Sequence, residues 1–196
     1  MTHKYSQRDE QHYIMEYFGD QGTFLDIGAY NPFTFSNTRA LYERGWKGAF
    51  VEPSYSCRKS LIEEYSEDSQ MEIHGMCIGD VNQSVRFWDS NGDALSSTDV
   101  NHVEKWEKMY GSTFSEITTN MMSVEDFMLK TKFSSFNFIN IDVENDELGF
   151  RILRAFDLSE TEMICIEIRP ELRQQVRNFL QWKEVYQSQE NLIMAK

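Results

Sequence analysis

The chain of 196 residues is 40% hydrophobic and 14% aromatic, which is enough to bury the core of one ordinary domain. Its formal net charge of −13 disfavours nucleic acid as a partner, because affinity for a polyanion needs clustered Lys and Arg. The sequence therefore predicts a single domain over residues 1–196 that does not bind nucleic acid.

The sequence carries no targeting or membrane signal. Its N-terminus lacks a signal-peptide core, and no uncharged apolar run is long enough to span a bilayer. We expect a cytoplasmic protein without a membrane partner, and the sequence does not indicate an oligomeric state. The three cysteines, Cys57, Cys77 and Cys165, are far apart and favour buried free thiols. The four histidines are also dispersed and form no metal-type pair.

A β-α-β unit is predicted near the start of the chain, after an N-terminal helical segment over residues 1–22. An apolar strand over 23–27 is followed by a helix from Ser36 to Gly45, with Ser36 as N-cap and Gly45 just past its end. A second strand over 46–53 completes the unit, which is typical of a parallel sheet.

The remaining chain continues this alternation of strands and helices. Strands or extended pieces are predicted over 71–80, 84–90, 136–146 and 163–170, and helices over 57–65, 123–130, 147–156 and 170–181. A polar insertion over 91–120, with one helical section around 103–109, is expected near the active site because long loops often carry function. Residues 182–188 and 191–196 are predicted to form a closing hairpin. These elements indicate a doubly wound α/β fold.

Acidic residues end five of the predicted strands, at Asp26, Glu52, Asp80, Asp142 and Glu167. Ligands of open parallel sheets lie beyond these carboxyl ends, so the acids should meet a ligand rich in hydroxyl groups or positive charge. The glycine-rich loop of dinucleotide enzymes is missing, since Gly28 stands alone. Glu52 can accept hydrogen bonds from ribose hydroxyls, and an acidic wall favours a sulfonium. The sequence therefore predicts S-adenosyl-L-methionine as cofactor.

The tripeptide Asn31-Pro32-Phe33 suggests a different interpretation. It is similar to the Asn-Pro-Pro-Phe motif of enzymes that methylate amino groups of DNA bases. That motif follows the fourth strand, whereas Asn31 follows the first. We therefore interpret the match as a coincidence of composition and expect these residues to shape the cofactor loop.

Four segments resemble, in order, motifs of the FkbM family of S-adenosylmethionine-dependent methyltransferases. They are "YSQ", "FLDIGAYNPFTFSNT" followed by "LYERGWKGAFVEP", "GDALSS" and "FINIDVENDELGFRIL". The resemblance covers nearly the whole chain and implies a Rossmann-like class I methyltransferase fold, a mostly parallel sheet with a C-terminal antiparallel hairpin. It also implies methyl transfer to a hydroxyl of a sugar, a glycan or a related small molecule. Asn145 replaces the family's usual Gly, and Asn tolerates the left-handed conformation, so we expect the turn to persist.

The resemblance implies that the cofactor contacts residues at the ends of three strands. The loop under the methionine end would comprise Asp26, Gly28, Ala29 and Tyr30. Its carboxylate would meet Ser36, Asn37 and Thr38, although Ser36 is equally well explained as a plain N-cap. Glu52, followed by Pro53, would bind the ribose. Asp80, after Gly79, would accept from the adenine amino group or simply begin a turn.

Asp142 and Glu144 are the predicted catalytic residues. Methyl transfer is an in-line displacement, so the protein must position the acceptor and remove its proton. The same two carboxylates could instead hold their loop through backbone amides. The resemblance leaves open a divalent metal at such acids, but the sequence does not identify a second and third ligand, so no metal is predicted. Gln7, Asn31 and the insertion are predicted to line the acceptor side. An adenosine-ligand binding protein without transferase activity is the alternative that Asn145 suggests, and a nucleic-acid methyltransferase is disfavoured by charge.

Overall fold

The computed structural model describes residues 3–196, in which ten strands alternate with seven helices. The helices are α1 Glu10–Tyr17, α2 Arg39–Glu43, α3 Tyr55–Tyr65, α4 Val100–Tyr110, α5 Val124–Lys130, α6 Asp146–Ala155 and α7 Pro170–Leu180. The strands are β1 Thr23–Ile27, β2 Lys47–Val51, β3 Met71–His74, β4 Cys77–Gly79, β5 Gln83–Asp89, β6 Ser115–Ser123, β7 Phe138–Ile141, β8 Met163–Glu167, β9 Lys183–Gln187 and β10 Asn191–Ala195.

Seven strands form the main sheet in the order β3-β2-β1-β7-β8-β10-β9. The first five of these run parallel, and β10 lies antiparallel to both β8 and β9. This arrangement confirms the predicted Rossmann-like fold with its C-terminal antiparallel hairpin. The strand order reverses between β1 and β7, and ligands of open α/β sheets bind beside such a switch point.

Apolar residues on both faces of the central strands explain why this sheet is buried between helices. Phe24 and Phe138 pack on one face, and the residues that follow them, Leu25 and Ile139, pack on the other. Successive strand residues point to opposite faces, so each strand contributes to both cores. Such two-sided burial is typical of parallel strands and explains their continuous apolar runs.

The prediction of one continuous third strand over 71–80 is wrong, because two separate strands, β3 and β4, form there. The chain turns after His74, so that β3 joins the main sheet while β4 joins a second sheet in the order β4-β6-β5. Strand β6 begins inside the predicted insertion. Its first residues, "SEITTN", are mostly polar, so the sequence does not predict a strand there. Most of β6 is solvent-exposed, so an apolar run is not needed there, and antiparallel pairing with β5 supplies its hydrogen bonds.

Two helical predictions need adjustment. Helix α1 lies within the expected N-terminal helical segment, whose residues 1–2 fall outside the described part of the chain. Helix α2 begins at Arg39 instead of after Ser36, although the Ser36 hydroxyl still accepts a hydrogen bond from the Arg39 amide at 3.1 Å. Gly45 takes the expected left-handed conformation, with φ +87°. None of the helices in residues 3–196 is long and apolar enough to cross a bilayer.

Candidate active site

A cavity of about 650 Å³ opens at the carboxyl ends of β1, β2, β7 and β8. Four stretches at these strand ends contribute to its wall: residues 26–30, 51–53, 142–146 and 167–170. Gln7 and the insertion residues His102, Lys105 and Trp106 also line it. The cavity therefore lies at the switch in strand order, and both the N-terminal segment and the insertion border it.

Gly28 makes the turn after β1 possible. Its φ of +82° lies in the left-handed region, and a Cβ at this position would overlap the carbonyl oxygen of Asp142. The Gly28 and Ala29 amides both donate to the Val51 carbonyl, at 2.9 and 3.3 Å. Glycine is thus required twice, for the backbone conformation and for the close approach of the turn to β7.

Glu52 is held rigidly at the end of β2. Its carboxylate accepts hydrogen bonds from the Tyr30 amide at 2.9 Å and the Ser54 amide at 2.8 Å, one on each oxygen. Burial raises the pKa of Glu52 to about 7, and these two backbone hydrogen bonds oppose the rise. A carboxylate has about four acceptor sites, so both oxygens can accept further hydrogen bonds from within the cavity.

Asp26 and its partners form an internal network. The Asp26 carboxylate accepts from the Thr38 hydroxyl at 2.6 Å and from the Asn140 amide nitrogen at 2.9 Å, and Asn37 donates to Asn140 at 3.0 Å. The Thr38 hydroxyl is therefore engaged with Asp26 instead of facing a cofactor carboxylate as predicted. Ser36 serves the start of α2, whereas Asn37 lines the cavity. The network ties the loop after β1 to strands β1 and β7.

The predicted adenine contacts lie away from the cavity. Gly79 packs against Met121 in the second sheet, and the Asp80 carboxylate pairs with Arg151 at 3.3 Å. Their displacement follows from the break after His74, which turns β4 out of the main sheet. Residues 76–78 line this side of the cavity in their place.

Asn31 and Gln7, both predicted on the acceptor side, lie in different environments. The Asn31 side chain accepts from the amides of Phe33 and Thr34 at 2.9 and 3.0 Å, forming a local turn outside the cavity wall. This geometry fits the expectation that Asn31-Pro32-Phe33 shapes the loop. Gln7 lines the cavity, and its contact with an acceptor stays a prediction.

Three carboxylates, here called the acidic triad, converge at the ends of β7 and β8: Asp142, Glu144 and Glu167. One oxygen of each lies within 4.8 Å of the other two. Such oxygens could hold a divalent cation or accept hydrogen bonds from hydroxyl groups. The sequence identifies Glu167 only as a strand-end acid. Its pairing with Asp142 follows from the parallel register of β7 and β8, which adjacent apolar strands could have suggested.

Burial and mutual repulsion raise the pKa values of the acidic triad. Burial, followed by the charge of Glu167, raises the pKa of Asp142 well above its usual range. Burial and then Asp142 raise the pKa of Glu144 to about 8, and burial raises that of Glu167 to about 7. Crowded carboxylates cannot all ionise together, so the triad retains protons near neutral pH.

The turn after β7 differs from the expected one. Glu144 takes the left-handed conformation, with φ +52°, whereas Asn145 is extended at φ −154° and caps α6 through the Leu148 amide at 3.1 Å. The prediction of a left-handed Asn145 is therefore wrong by one residue. Ser97 of the insertion holds the turn by donating to the Glu144 carbonyl at 2.8 Å. The replacement of Gly by Asn145 is accommodated as a helix cap, so it no longer favours a protein without transferase activity.

His102 is a cavity residue that the sequence does not identify. One ring nitrogen, Nε2, lies 3.2 Å from the Leu95 carbonyl, and Nδ1 lies 3.5 Å from a carboxylate oxygen of Glu144. The two residues are far apart in sequence, and the dispersed histidines carry no spacing signal. The contact places the insertion helix directly against the acidic triad.

The raised pKa values predict that the ligand-free protein loses stability as pH rises from about 5 to about 8. Glu52, Glu144 and Glu167 bind protons more tightly in the folded state, with pKa values of about 7, 8 and 7. Their stabilising contribution is complete below the usual carboxyl pKa and is lost as pH rises through the folded values. Burial lowers the pKa of His102, so this residue makes stability increase with pH. The three glutamates together should outweigh this single group.

Chemical denaturation at several pH values measures this dependence. A one-unit difference in pKa corresponds to about 1.4 kcal/mol, so Glu144→Gln should visibly flatten the slope. Glu147→Gln, at an exposed position on α6, is the matched control and should retain the slope. An unfolding free energy that is constant or increases over this range would contradict the prediction.

Comparison with known families agrees with the fold and with this cavity. Residues 26–189 match the family described as "Methyltransferase FkbM domain". A search of curated proteins found no significant match. The matched range covers most of the chain and includes Gly28, Glu52 and the acidic triad. A chain with this fold and this match belongs to the FkbM methyltransferase family.

Proposed function

We propose that the protein transfers the methyl group of S-adenosyl-L-methionine to a hydroxyl of a sugar, a glycan or a related small molecule. The observation that carries this proposal is that one cavity contains both a nucleoside-type site and a cluster of carboxylates. The Gly28 turn and the fixed Glu52 carboxylate lie at the ends of β1 and β2, and the acidic triad lies at the ends of β7 and β8. The first feature suits a nucleoside, and the second suits an acceptor with hydroxyl groups.

Glu52 would hold the cofactor through its ribose. Its two oxygens are already oriented by backbone amides, so binding would cost little side-chain ordering. The Gly28 turn would support the methionine end, and the surrounding acids would favour the positive sulfonium. Residues 76–78 border the same cavity and supply apolar contacts that suit an adenine ring.

The chemistry would take place beside Asp142 and Glu144. The acceptor oxygen attacks the methyl carbon, the carbon–sulfur bond breaks, and its electron pair remains on sulfur as the thioether of the demethylated product. The hydroxyl proton passes to a carboxylate of the acidic triad. A raised pKa makes such a carboxylate a better base near neutral pH, provided that one member of the triad is ionised.

Mass spectrometry with a cofactor labelled in its methyl group tests the reaction. Candidate acceptors are incubated with the protein and the labelled cofactor, and hydroxyl-bearing acceptors should gain the labelled methyl group. Cofactor binding is measured separately by calorimetry. Label appearing on amines alone, or tight cofactor binding without product from any hydroxyl acceptor, would overturn the proposed reaction.

Glu52→Ala should weaken the binding of S-adenosylmethionine and of its demethylated product alike. The ribose contact does not change during the reaction, so the cofactor KM should rise more than kcat falls. A hydrogen bond to a charged group is worth roughly 1.5–3 kcal/mol, which is about tenfold or more in Kd. Calorimetry with both ligands measures the effect.

Asp89→Asn is the matched control for Glu52. Asp89 is a buried acid that accepts from the Ser54 hydroxyl at 2.9 Å, yet it lies outside the cavity wall. Its replacement removes a neighbouring charge without removing a ribose contact, so both Kd values should stay close to those of the wild type. An unchanged cofactor Kd in Glu52→Ala would remove Glu52 from the site.

A further inference from the structure

Helix α4 of the insertion leaves its apolar side chains largely unpacked. Within its span of Val100–Tyr110, which is described in full, Val103 is the only buried residue. Trp106 is half-buried, while Met109 and Tyr110 are 60% and 65% exposed. A surface helix normally turns its apolar residues toward a core, so this uncovered set indicates a surface that meets something else.

Three rings form a continuous aromatic stripe along α4: His102, Trp106 and Tyr110. They are spaced four residues apart and so share one face of the helix. Ring centroids lie 6.1 Å apart between His102 and Trp106, and 4.8 Å apart between Trp106 and Tyr110. The first two rings line the cavity, and Tyr110 lies beyond its wall. The aromatic stripe therefore leads from the acidic triad out of the cavity.

The contacts that hold the insertion leave most of this stripe free. Ser97 donates to the Glu144 carbonyl, Asn145 donates to the Thr98 hydroxyl at 3.3 Å, and His102 lies beside the Glu144 carboxylate. All these contacts lie at or before the first turn of α4. The second half of the helix, with Trp106 and Tyr110, remains available to a ligand that projects from the cavity.

We propose that the aromatic stripe is an acceptor subsite, against which the ring of a second saccharide unit stacks while its neighbour receives the methyl group. This inference rests on the proposed function and extends it, because it makes the acceptor at least a disaccharide. The cavity volume lies within the range of single-ligand sites, about 300–1,000 Å³. A cofactor and one sugar ring would together occupy much of such a space, so a second unit of a longer acceptor would project from the cavity along α4.

The surrounding chemistry favours a neutral, hydroxyl-rich occupant. A pyranose ring has a face of C–H groups, which can cover an aromatic ring, and a rim of hydroxyl donors, which carboxylates accept. Lys105 Nζ lies 5.8 Å from the Trp106 ring centroid, so a cationic acceptor stacked on this ring would place a second positive charge beside the Lys105 ammonium. A polyanion is disfavoured by the acidic wall and the net charge of −13.

A glycan array of neutral, acidic and amino oligosaccharides tests the subsite, with the full chain applied in the presence of the demethylated cofactor. The wild type should be retained on neutral oligosaccharides and not on the matching monosaccharides. Trp106→Ala and Tyr110→Ala should each weaken binding to the retained glycan about tenfold or more, as expected for aromatic anchors. Trp106→Phe keeps a ring at the same position and should preserve most of the binding.

Tyr55→Ala is the matched control, because Tyr55 is 68% exposed on α3 and lies outside the cavity wall. It should bind the glycan as the wild type does. Calorimetry with S-adenosylmethionine separates the two proposals. A protein that binds the cofactor but retains no neutral oligosaccharide, or one whose retention survives both alanine substitutions, overturns the subsite alone. A folded protein that does not bind the cofactor overturns the proposed function itself.

Discussion

Gly28→Ala should lower the unfolding free energy by several kcal/mol and abolish detectable cofactor binding. The left-handed conformation alone costs an alanine about 1–2 kcal/mol. In addition, the new Cβ would overlap the Asp142 carbonyl oxygen, so the backbone of the turn or of β7 must move. The Asp142 amide donates to the Ile27 carbonyl at 2.8 Å, and movement would break this contact between β1 and β7. Both sides of the cavity would then shift.

Gly45→Ala provides a matched control for the backbone cost. Gly45 has nearly the same φ, +87° against +82°, but a Cβ there would meet no atom within 4 Å. Its replacement should therefore cost only about 1–2 kcal/mol and leave the cofactor Kd unchanged. Denaturant unfolding and calorimetry on both variants measure the difference. Equal destabilisation of the two variants would show that the approach of Gly28 to Asp142 is not what requires glycine.

The central strands of the main sheet could be predicted because the sequence of each one is apolar enough to identify it without knowledge of its partners. Buried parallel strands such as β1, β7 and β8 are apolar on both faces, and their runs stand out from the polar chain around them. The division of residues 71–80 between two sheets was not predictable from "MEIHGMCIGD", because apolar residues stand on both sides of Gly75. Which sheet each half joins depends on β2 and β6, and those contacts are made only in the folded chain.

The strand-end acids were predictable as a group, but their individual roles depend on distant partners. Asp26 lines the cavity, as its place at a strand end predicts, but side chains distant in sequence, Thr38 and Asn140, fix the orientation of its carboxylate. Glu52, by contrast, is held by local backbone amides that leave acceptor sites open. The contact between His102 and Glu144 depends on how the insertion folds back, and neither residue type nor spacing predicts it.

Asp142→Asn should reduce kcat by roughly 10²-fold or more, the usual contribution of a positioned general base, while cofactor Kd stays near normal. The structure adds an expectation about stability. Asp142 lies among like-charged carboxylates, and burial and Glu167 disfavour its ionised form. A neutral asparagine keeps the volume and can still donate to a neighbouring carboxylate. The melting temperature should therefore stay the same or rise.

Asp26→Asn should show the opposite pattern, which makes it an informative comparison for Asp142. Both oxygens of the buried Asp26 accept hydrogen bonds, from Thr38 and Asn140. An asparagine there can keep its oxygen toward Asn140 only if the Thr38 hydroxyl turns to accept from its nitrogen, and both charge-assisted hydrogen bonds are replaced by weaker neutral ones. Stability should fall, while turnover per folded molecule changes less than in Asp142→Asn. Melting, cofactor Kd and single-turnover methylation, measured on both variants, separate chemistry from structure. A stable and fully active Asp142→Asn protein would remove Asp142 from the reaction and leave Glu144 or Glu167 to accept the proton.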